Sequence, residues 1–190
     1  MKKILFVCCS ILLTAQQLSA QDVFQGTSTI SGSDIVFGPK VGLNMTRLIG
    51  DGLTTNGILP GFHVGGAVEI PISGEFYFAP ELLFSLQGTR GSGSNIRLGY
   101  LNIPLMGKYH ITEKIAVEFG PQLGILVTDN AEDFNLITNS FDFGLGVGGG
   151  YRLNDNFYFQ LRINAGFLQV IENFGGTNAA LQMGAIYYIL

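Results

Sequence analysis

Cysteine is nearly absent from this sequence, and charged residues are scarce. The two cysteines, Cys8 and Cys9, both lie near the amino terminus, so the rest of the chain has no disulfide, thiolate metal site or cysteine nucleophile. Charged residues make up 13% of the chain and hydrophobic residues 47%, a balance that is hazardous on a water-facing surface. After residue 20 no apolar run approaches the roughly 20 residues of a membrane-spanning helix, which argues against a helical bundle.

Basic clusters and catalytic motifs are missing as well. The 10 lysines and arginines are scattered among 14 acidic residues, so nucleic acid is not an expected partner. His63 and His110 are the only histidines, and neither metal-ligand spacing nor a Ser-His-Asp order surrounds them. The glycine run at 144–150 lacks the Lys-Ser/Thr pair of a phosphate-binding loop. We therefore expect no enzyme activity, no cofactor and no metal site.

The beginning of the chain differs in character from the remainder. The basic pair Lys2-Lys3 precedes an apolar stretch at 4–15, and the small residue Ala20 closes the segment. This order predicts a secretory signal peptide over residues 1–20, and therefore export from the cytoplasm. The following residues, 21–36, are rich in Ser, Thr, Gly and Gln and are predicted to form a flexible leader.

From Phe37 onward, apolar and polar residues alternate with a period of two, which is typical of strands with one apolar face. Eight segments show this pattern, each about long enough for a tilted strand to cross a bilayer: 37–47, 60–71, 76–86, 97–110, 115–127, 140–151, 157–168 and 179–190. Short turns alternate with longer links at about 48–59, 87–96, 128–139 and 169–178. The predicted fold is all-β, a closed up-and-down antiparallel transmembrane β-barrel of eight strands over residues 37–190, in the outer membrane.

Glycine, proline and aromatic residues refine this prediction. The chain has 27 glycines, and the inward positions of 140–151 are almost all glycine, which eases strand curvature and close packing. Aromatic residues beside the short turns predict an interfacial girdle: Phe76, Tyr109, Tyr151 and Phe157. Four prolines inside predicted strands remove ladder donors and predict local bulges or bends: Pro39, Pro80, Pro104 and Pro121.

Charged residues fall almost entirely on the less aromatic face of the strands, which we assign to the lumen. The predicted lumenal charges are Lys40, Glu69, Glu81, Lys108, Glu118, Asp142 and Arg162, with His63 beside them. An eight-stranded barrel has an interior just wide enough for side chains, and an unpaired buried charge is very costly. We therefore expect a structural ion-pair network that fills the lumen, with Glu81 and Lys108 as one of its pairs.

Five short motifs, in order, resemble the outer-membrane β-barrel family that includes PorT-like proteins, which are abundant in Bacteroidetes. They are Gly38-Pro39-Lys40-Val41-Gly42-Leu43-Asn44, Gly61-Phe62-His63-Val64-Gly65-Gly66, Tyr77-Phe78-Ala79-Pro80-Glu81-Leu82-Leu83-Phe84-Ser85, Tyr100-Leu101-Asn102-Ile103-Pro104-Leu105-Met106-Gly107-Lys108-Tyr109 and Gly120-Pro121-Gln122-Leu123-Gly124. The resemblance implies a small outer-membrane barrel. PorT itself is tied to type IX protein secretion, but most relatives have no assigned activity.

The sequence favours a non-enzymatic outer-membrane barrel with a structural or surface-interaction role. Its expected partners are outer-membrane lipid and, through the longer loops, other envelope proteins. Three alternatives remain: a PorT-like component of a secretion machine, a soluble lipocalin-like carrier with an apolar interior, and a lipid-modifying enzyme using Ser85, His63 and Glu69. A porin is disfavoured, because eight strands leave no aqueous channel. The acidic link 128–139 has oxygen ligands suited to calcium, but we interpret it as a solvated loop.

Overall fold

The computed structural model describes residues 35–49, 57–90, 95–130, 139–170 and 177–189. The predicted signal peptide and all but the end of the predicted leader lie outside these residues. Eight strands occupy the described part: β1 (Val36–Ile49), β2 (Gly57–Ser73), β3 (Phe76–Arg90), β4 (Asn95–His110), β5 (Ile115–Asp129), β6 (Phe141–Arg152), β7 (Phe157–Gln169) and β8 (Thr177–Tyr187). Within the same residues, no helix has the length and apolar character needed to cross a membrane.

The strands form one closed barrel in sequence order. Each strand is antiparallel to the next, and β1 also pairs with β8, for example Asn44 with Gln182. Neighbouring strands are joined alternately by short turns and by longer links, so one end of the barrel is the short-turn end and the other the loop-side end. The predicted all-β, closed, up-and-down antiparallel barrel of eight strands is confirmed.

Apolar side chains cover the outside of the barrel, because successive residues of a strand point to opposite faces. In β1, Phe37 and Leu43 are 52% and 60% exposed, whereas Lys40 is only 1% exposed. The other strands alternate in the same way, with Phe119 and Ile163 exposed and Glu118 and Arg162 buried. An apolar band around a polar interior is the arrangement of a transmembrane barrel, whose outer surface contacts lipid.

The two ends of the barrel carry different outward-facing residues. Phe76, Tyr109, Tyr151 and Phe157 are exposed beside the short turns, where the sequence predicted a girdle, and Phe157 packs edge-on against Tyr187 with 5.1 Å between ring centroids. In the β2–β3 turn Gly74 has a φ of 54°, a conformation that glycine adopts without strain. At the loop-side end the exposed outward residues include three arginines, Arg47, Arg90 and Arg97.

Of the bulges or bends predicted at four prolines, the bulges are not found in the described ladders. Pro39, Pro80, Pro104 and Pro121 lie in ladders that keep their register, whereas the register shifts fall between Ile58 and His63, Pro71 and Ser73, Gly99 and Tyr100, and Ala165 and Gln169. A proline removes one donor from a ladder but adds no residue to the strand. The pairs on either side therefore hold the register.

The strands also run further toward the loop side than the alternation predicted. β2 begins at Gly57, and β3 continues to Arg90, so residues assigned to long links belong to the walls. The reason is that buried inward side chains continue past the predicted ends: Leu48, Thr89 and Ile96 are 0%, 0% and 9% exposed. Burial of these side chains extends the ladder beyond the lipid-facing band.

Candidate functional site

Four strands supply the ionic cluster at the middle of the lumen. We call it the central layer: Lys40 from β1, Glu81 from β3, Glu118 from β5, and Gln160 and Arg162 from β7. These are the odd-numbered strands, so their side chains approach from all four sides of the barrel. Every member is at most 5% exposed to solvent. The layer occupies the cross-section of the lumen rather than one wall.

Glu81 is the hub of the central layer. One carboxylate oxygen accepts a hydrogen bond from Lys40 Nζ at 2.7 Å, and the other accepts one from Arg162 Nη2 at 2.7 Å. Arg162 Nη1 donates a further bond to Glu81 at 3.1 Å, so the pair is bidentate. Arg162 also donates to Glu118 at 3.1 Å. Two cations thus neutralise two carboxylates in a site that is almost fully buried.

Gln160 links the charged groups of this layer. Its Nε2 donates to Glu118 at 3.0 Å and to Glu81 at 3.3 Å, and its Oε1 accepts a hydrogen bond from Lys40. The sequence pattern placed Gln160 on the inward face but could not show that it joins the ion pairs. An amide can fill this role because it carries both a donor and an acceptor.

The glycines of β6 make room for this cluster. Gly148 lies between Glu118 and Arg162 in the ladders, and a Cβ there would come within 2.5 Å of a backbone oxygen and 3.1 Å of the Arg162 side chain. Gly150 lies similarly against Tyr158, whose ring carbon would be 2.2 Å from an added Cβ. Because β6 carries no inward side chain at Gly148 and Gly150, large residues of β7 can reach the centre of the lumen.

A second ionic cluster lies toward the short-turn end. We call it the short-turn layer: Glu69 from β2, Lys108 and His110 from β4, Arg152 from β6, and Tyr188 just beyond β8. Glu69 contacts Lys108 Nζ at 2.8 Å, His110 Nε2 at 2.9 Å and Arg152 Nη2 at 3.2 Å. The charged residues of this layer lie on even-numbered strands, whereas those of the central layer lie on odd-numbered strands.

Aromatic rings complete the short-turn layer. Lys108 Nζ lies 4.0 Å from the centroid of the Tyr158 ring and donates a hydrogen bond to the Tyr188 hydroxyl at 3.2 Å. Burial, reinforced by the nearby Glu69 charge, raises the pKa of Tyr188 well above its usual range. The neutral phenol therefore accepts a bond from the ammonium without adding a second negative charge.

The structure brings six of the seven predicted lumenal charges into the two layers, but not in the pairing expected. Glu81 and Lys108 are not partners: Lys108 lies opposite Tyr77 in the β3–β4 ladder, four residues from Glu81. Lys108 pairs with Glu69 instead, and Glu81 pairs with Lys40 and Arg162. Asp142, the seventh residue, belongs to neither layer and lies near the loop-side end of β6.

His63 forms a small polar cluster on the loop side of the central layer. Its Nδ1 lies 2.7 Å from Asn44 Oδ1, while Asn44 Nδ2 donates to Ser85 Oγ at 2.8 Å. The Asn44 side chain thus bridges the side chains of His63 and Ser85. Glu69 forms an ion pair with Lys108 in the short-turn layer. The three side chains of the lipid-modifying alternative do not form a nucleophile–base–acid sequence.

Apolar residues close the loop-side end of the lumen. We call them the loop-side cap: Leu48, Ile96, Leu98, Tyr100 and Val170, with Leu126 packed against them. Sequence alternation alone placed Leu48, Ile96 and Val170 in links, because it could not distinguish an apolar residue of a lumen from one of a loop. The lumen therefore contains the apolar loop-side cap, the polar cluster around His63, the central layer and the short-turn layer.

A closed barrel with a lipid-compatible exterior and a lumen filled by ion pairs defines an integral membrane barrel of the outer-membrane class. The chain belongs to the outer membrane protein beta-barrel domain family, whose sequence model matches residues 15–172. It is an outer-membrane protein, and its exterior contacts the lipid bilayer. No curated protein sequence matches it.

Solved outer-membrane barrels share this fold. Ail, the attachment invasion locus protein of Yersinia pestis, superposes with a TM-score of 0.54 at 12% identity, over 81% of this chain and 98% of Ail. Neisserial surface protein A superposes with a TM-score of 0.52 at 10% identity, over 80% of this chain and 96% of that protein. At these identities the likeness concerns the fold. A lipocalin-like carrier needs an apolar interior and a polar exterior, the reverse of what is observed, and that alternative has no support.

Proposed function

We propose that this protein is a non-enzymatic outer-membrane barrel with a structural or surface-interaction role, and that its lumen is a plug rather than a channel. The observation that carries the proposal is the bidentate Arg162–Glu81 contact, which joins β7 to β3 across the barrel. A solute crossing the lumen would have to break this contact and leave buried charges without partners, at a cost of several kcal/mol.

The loop-side end supports an interaction role. Arg47, Arg90 and Arg97 are exposed on the outer surface there, where a charge costs far less than at the centre of the lipid-facing band. Recognition by small barrels resides in connecting loops carried by a rigid wall. Ail, the attachment invasion locus protein that shares this fold, has been solved in complex with the heparin analogue sucrose octasulfate, which supports a surface-binding role for a barrel of this kind.

Conductance tests the plugged lumen. The protein, refolded in detergent and inserted into a planar lipid bilayer, should give no stable conductance steps under conditions in which a water-filled porin conducts. Persistent steps from folded protein would overturn the proposal. Incubation with phospholipid and lipopolysaccharide, followed by mass spectrometry, should show no hydrolysed or acylated product, and a product would revive the enzyme alternative.

Site-specific photocrosslinking in cells tests where partners bind. A crosslinking amino acid at Asn173, in the link between β7 and β8, should form adducts with envelope or surface molecules. The matched position Asp155, in the short turn between β6 and β7, should not. Adducts with secretion-machinery subunits would favour the PorT-like alternative, and their absence at both positions would favour a structural role.

A further inference from the structure

A small polar cavity of about 10 Å³ lies in the loop-side half of the lumen. Its polar lining comes from five strands: Gln87 from β3, Gln122 from β5, Asp142 from β6, Asn164 from β7 and Asn178 from β8. Gly166 lies on its wall, where an added Cβ would come within 3.0 Å of Asp142 Oδ1. The space accommodates one particle of about the size of a water molecule.

Four oxygen atoms around this cavity have no hydrogen-bond partner among the described residues. They are Gln122 Oε1, Asp142 Oδ1, Asn164 Oδ1 and Asn178 Oδ1. Asn164 and Asn178 are only 6% and 7% exposed, so bulk solvent does not satisfy them. Buried acceptors without donors cost free energy, and four of them around one cavity mark the place of a missing electropositive partner.

Hydrogen bonds on the far side of the amides support this orientation of the oxygens. Asn164 Nδ2 donates to Gln182 Oε1 at 2.8 Å, and Asn178 Nδ2 donates to Gln87 Oε1. Gln87 is held in turn, because its Nε2 donates to Ser85 Oγ at 3.0 Å. Both amide nitrogens are therefore engaged by neighbouring side chains, which orients the two amide oxygens.

Charge balance favours a cation over a water molecule. In the central layer, Lys40 and Arg162 neutralise Glu81 and Glu118, and in the short-turn layer Glu69 has Lys108 and Arg152. No ion pair in the described part of the chain involves Asp142. The Asp142 side chain is partly exposed, but its Oδ1 is buried. A buried carboxylate oxygen without a counter-charge is costly, and a bound cation would supply that charge.

We propose that this cavity is a binding site for one hard cation of calcium type, held by the Asp142 carboxylate and the side-chain oxygens of Gln122, Asn164 and Asn178. Hard cations bind carboxylate and amide oxygens, and calcium tolerates irregular coordination. A single carboxylate among neutral ligands predicts weak binding, with a Kd of about 10⁻⁴–10⁻³ M, the range of extracellular modules. The sequence alone predicted no metal site, because the residues of this cavity are far apart along the chain.

Tyr100 provides a local reporter for the test. Its ring lies 3.4 Å from where a Cβ of the cavity residue Gly124 would stand. The other six tyrosines lie at the short-turn end: Tyr77, Tyr109, Tyr151, Tyr158, Tyr187 and Tyr188. Since the chain has no tryptophan, a terbium ion in the cavity would take excitation energy from Tyr100. Terbium serves as a luminescent substitute for calcium.

The experiment uses the refolded protein in detergent micelles, with calcium binding measured by calorimetry and tyrosine-sensitised terbium emission measured in parallel. We expect emission that calcium displaces. Asp142→Asn should weaken calcium binding by about tenfold or more, because the charge of the ligand set governs affinity. Tyr100→Phe should abolish the emission but leave calorimetric calcium binding intact. Gly166→Ala should also weaken binding, because its methyl group would crowd Asp142 Oδ1.

A matched control separates the cavity from the acidic link. The double variant Glu132→Gln, Asp133→Asn changes two carboxylates outside the described residues and should bind calcium as the unaltered protein does. Heat-dependent gel mobility checks that every variant is folded. Absence of calcium binding, unchanged binding in Asp142→Asn, or loss of binding only in the control variant would overturn the proposal. In the first two cases the cavity would hold water.

Discussion

Arg162 and Glu81 face each other across the full width of the barrel, with Arg162 Nη2 donating to Glu81 Oε1 at 2.7 Å. The two residues belong to β7 and β3, four strands apart around the closed sheet. This contact ties opposite walls together at the middle of the lumen. Removal of the Arg162 side chain would affect two carboxylates, because Arg162 contacts both Glu81 and Glu118.

We predict that Arg162→Met destabilises the barrel by about 3–5 kcal/mol, because two carboxylates lose a buried partner. Urea unfolding of the protein in lipid vesicles, followed by gel mobility, measures the change. Arg47→Met is the matched control on the outer surface, where a substitution is expected to change stability by no more than about 0.5 kcal/mol. Equal effects of the two variants would contradict the central position of Arg162.

A double-mutant cycle should distinguish the observed partner of Lys108 from the one predicted by sequence. Lys108→Met and Glu69→Gln remove the two ends of one ion pair, so their effects on unfolding free energy should be non-additive by about 0.5–3 kcal/mol. The cycle of Lys108→Met with Glu81→Gln should be closer to additive, because the two groups are not partners in the structure. A larger coupling to Glu81 than to Glu69 would reverse the assignment.

Charges introduced on the outer face should have a cost that depends on depth. Val147 is 56% exposed and lies next to Gly148, at the level of the central layer, whereas Ile49 ends β1 at the loop side. We expect Val147→Lys to cost about 2–4 kcal/mol in lipid and Ile49→Lys about 0–1 kcal/mol. Unfolding in lipid vesicles measures both. Similar costs at the two positions would show that Val147 does not face the membrane interior.

Two glycines on opposite faces should respond differently to alanine. An added Cβ at Gly150 would be 2.2 Å from the Tyr158 ring, whereas one at Gly66 would find its nearest neighbour at 3.8 Å. Gly150→Ala should therefore destabilise the barrel by about 1–3 kcal/mol through overpacking. Gly66→Ala should be close to neutral. Urea unfolding measures both changes, and equal effects of the two variants on the unfolding free energy would contradict the prediction.

The barrel was predictable because the alternation of apolar and polar residues shows which face of a strand each residue occupies. In an eight-stranded barrel, that face decides whether a side chain contacts lipid or lies in the lumen. Lys40, Glu118 and Arg162 could be assigned to the lumen from parity alone. Their partners could not, because pairing depends on the offset between strands, which alternation leaves undetermined. The offset places Lys108 opposite Tyr77, so the expected contact with Glu81 does not form.

Other features were hidden for different physical reasons. The contribution of Gln160 depends on reach and orientation, which an uncharged amide does not signal in a sequence. The cavity beside Asp142 depends on the packing of five strands and on the absence of a side chain at Gly166. Neither the orientation of Gln160 nor the presence of the cavity can be predicted from a local pattern of residues.

The division of charges between odd and even strands has a consequence for how the barrel assembles. Glu81 and Arg162 are 81 residues apart, and Glu69 and Lys108 are 39 apart, so no single hairpin contains both members of either pair. Until distant strands meet, each charge must stay hydrated. Contacts so far apart in sequence form slowly, because the loop entropy is lost before the contact forms. Barrel closure between β1 and β8 is therefore coupled to the loss of water from the lumen and to the neutralisation of its charges. A sheet that has not yet closed gains little stabilisation from these ion pairs.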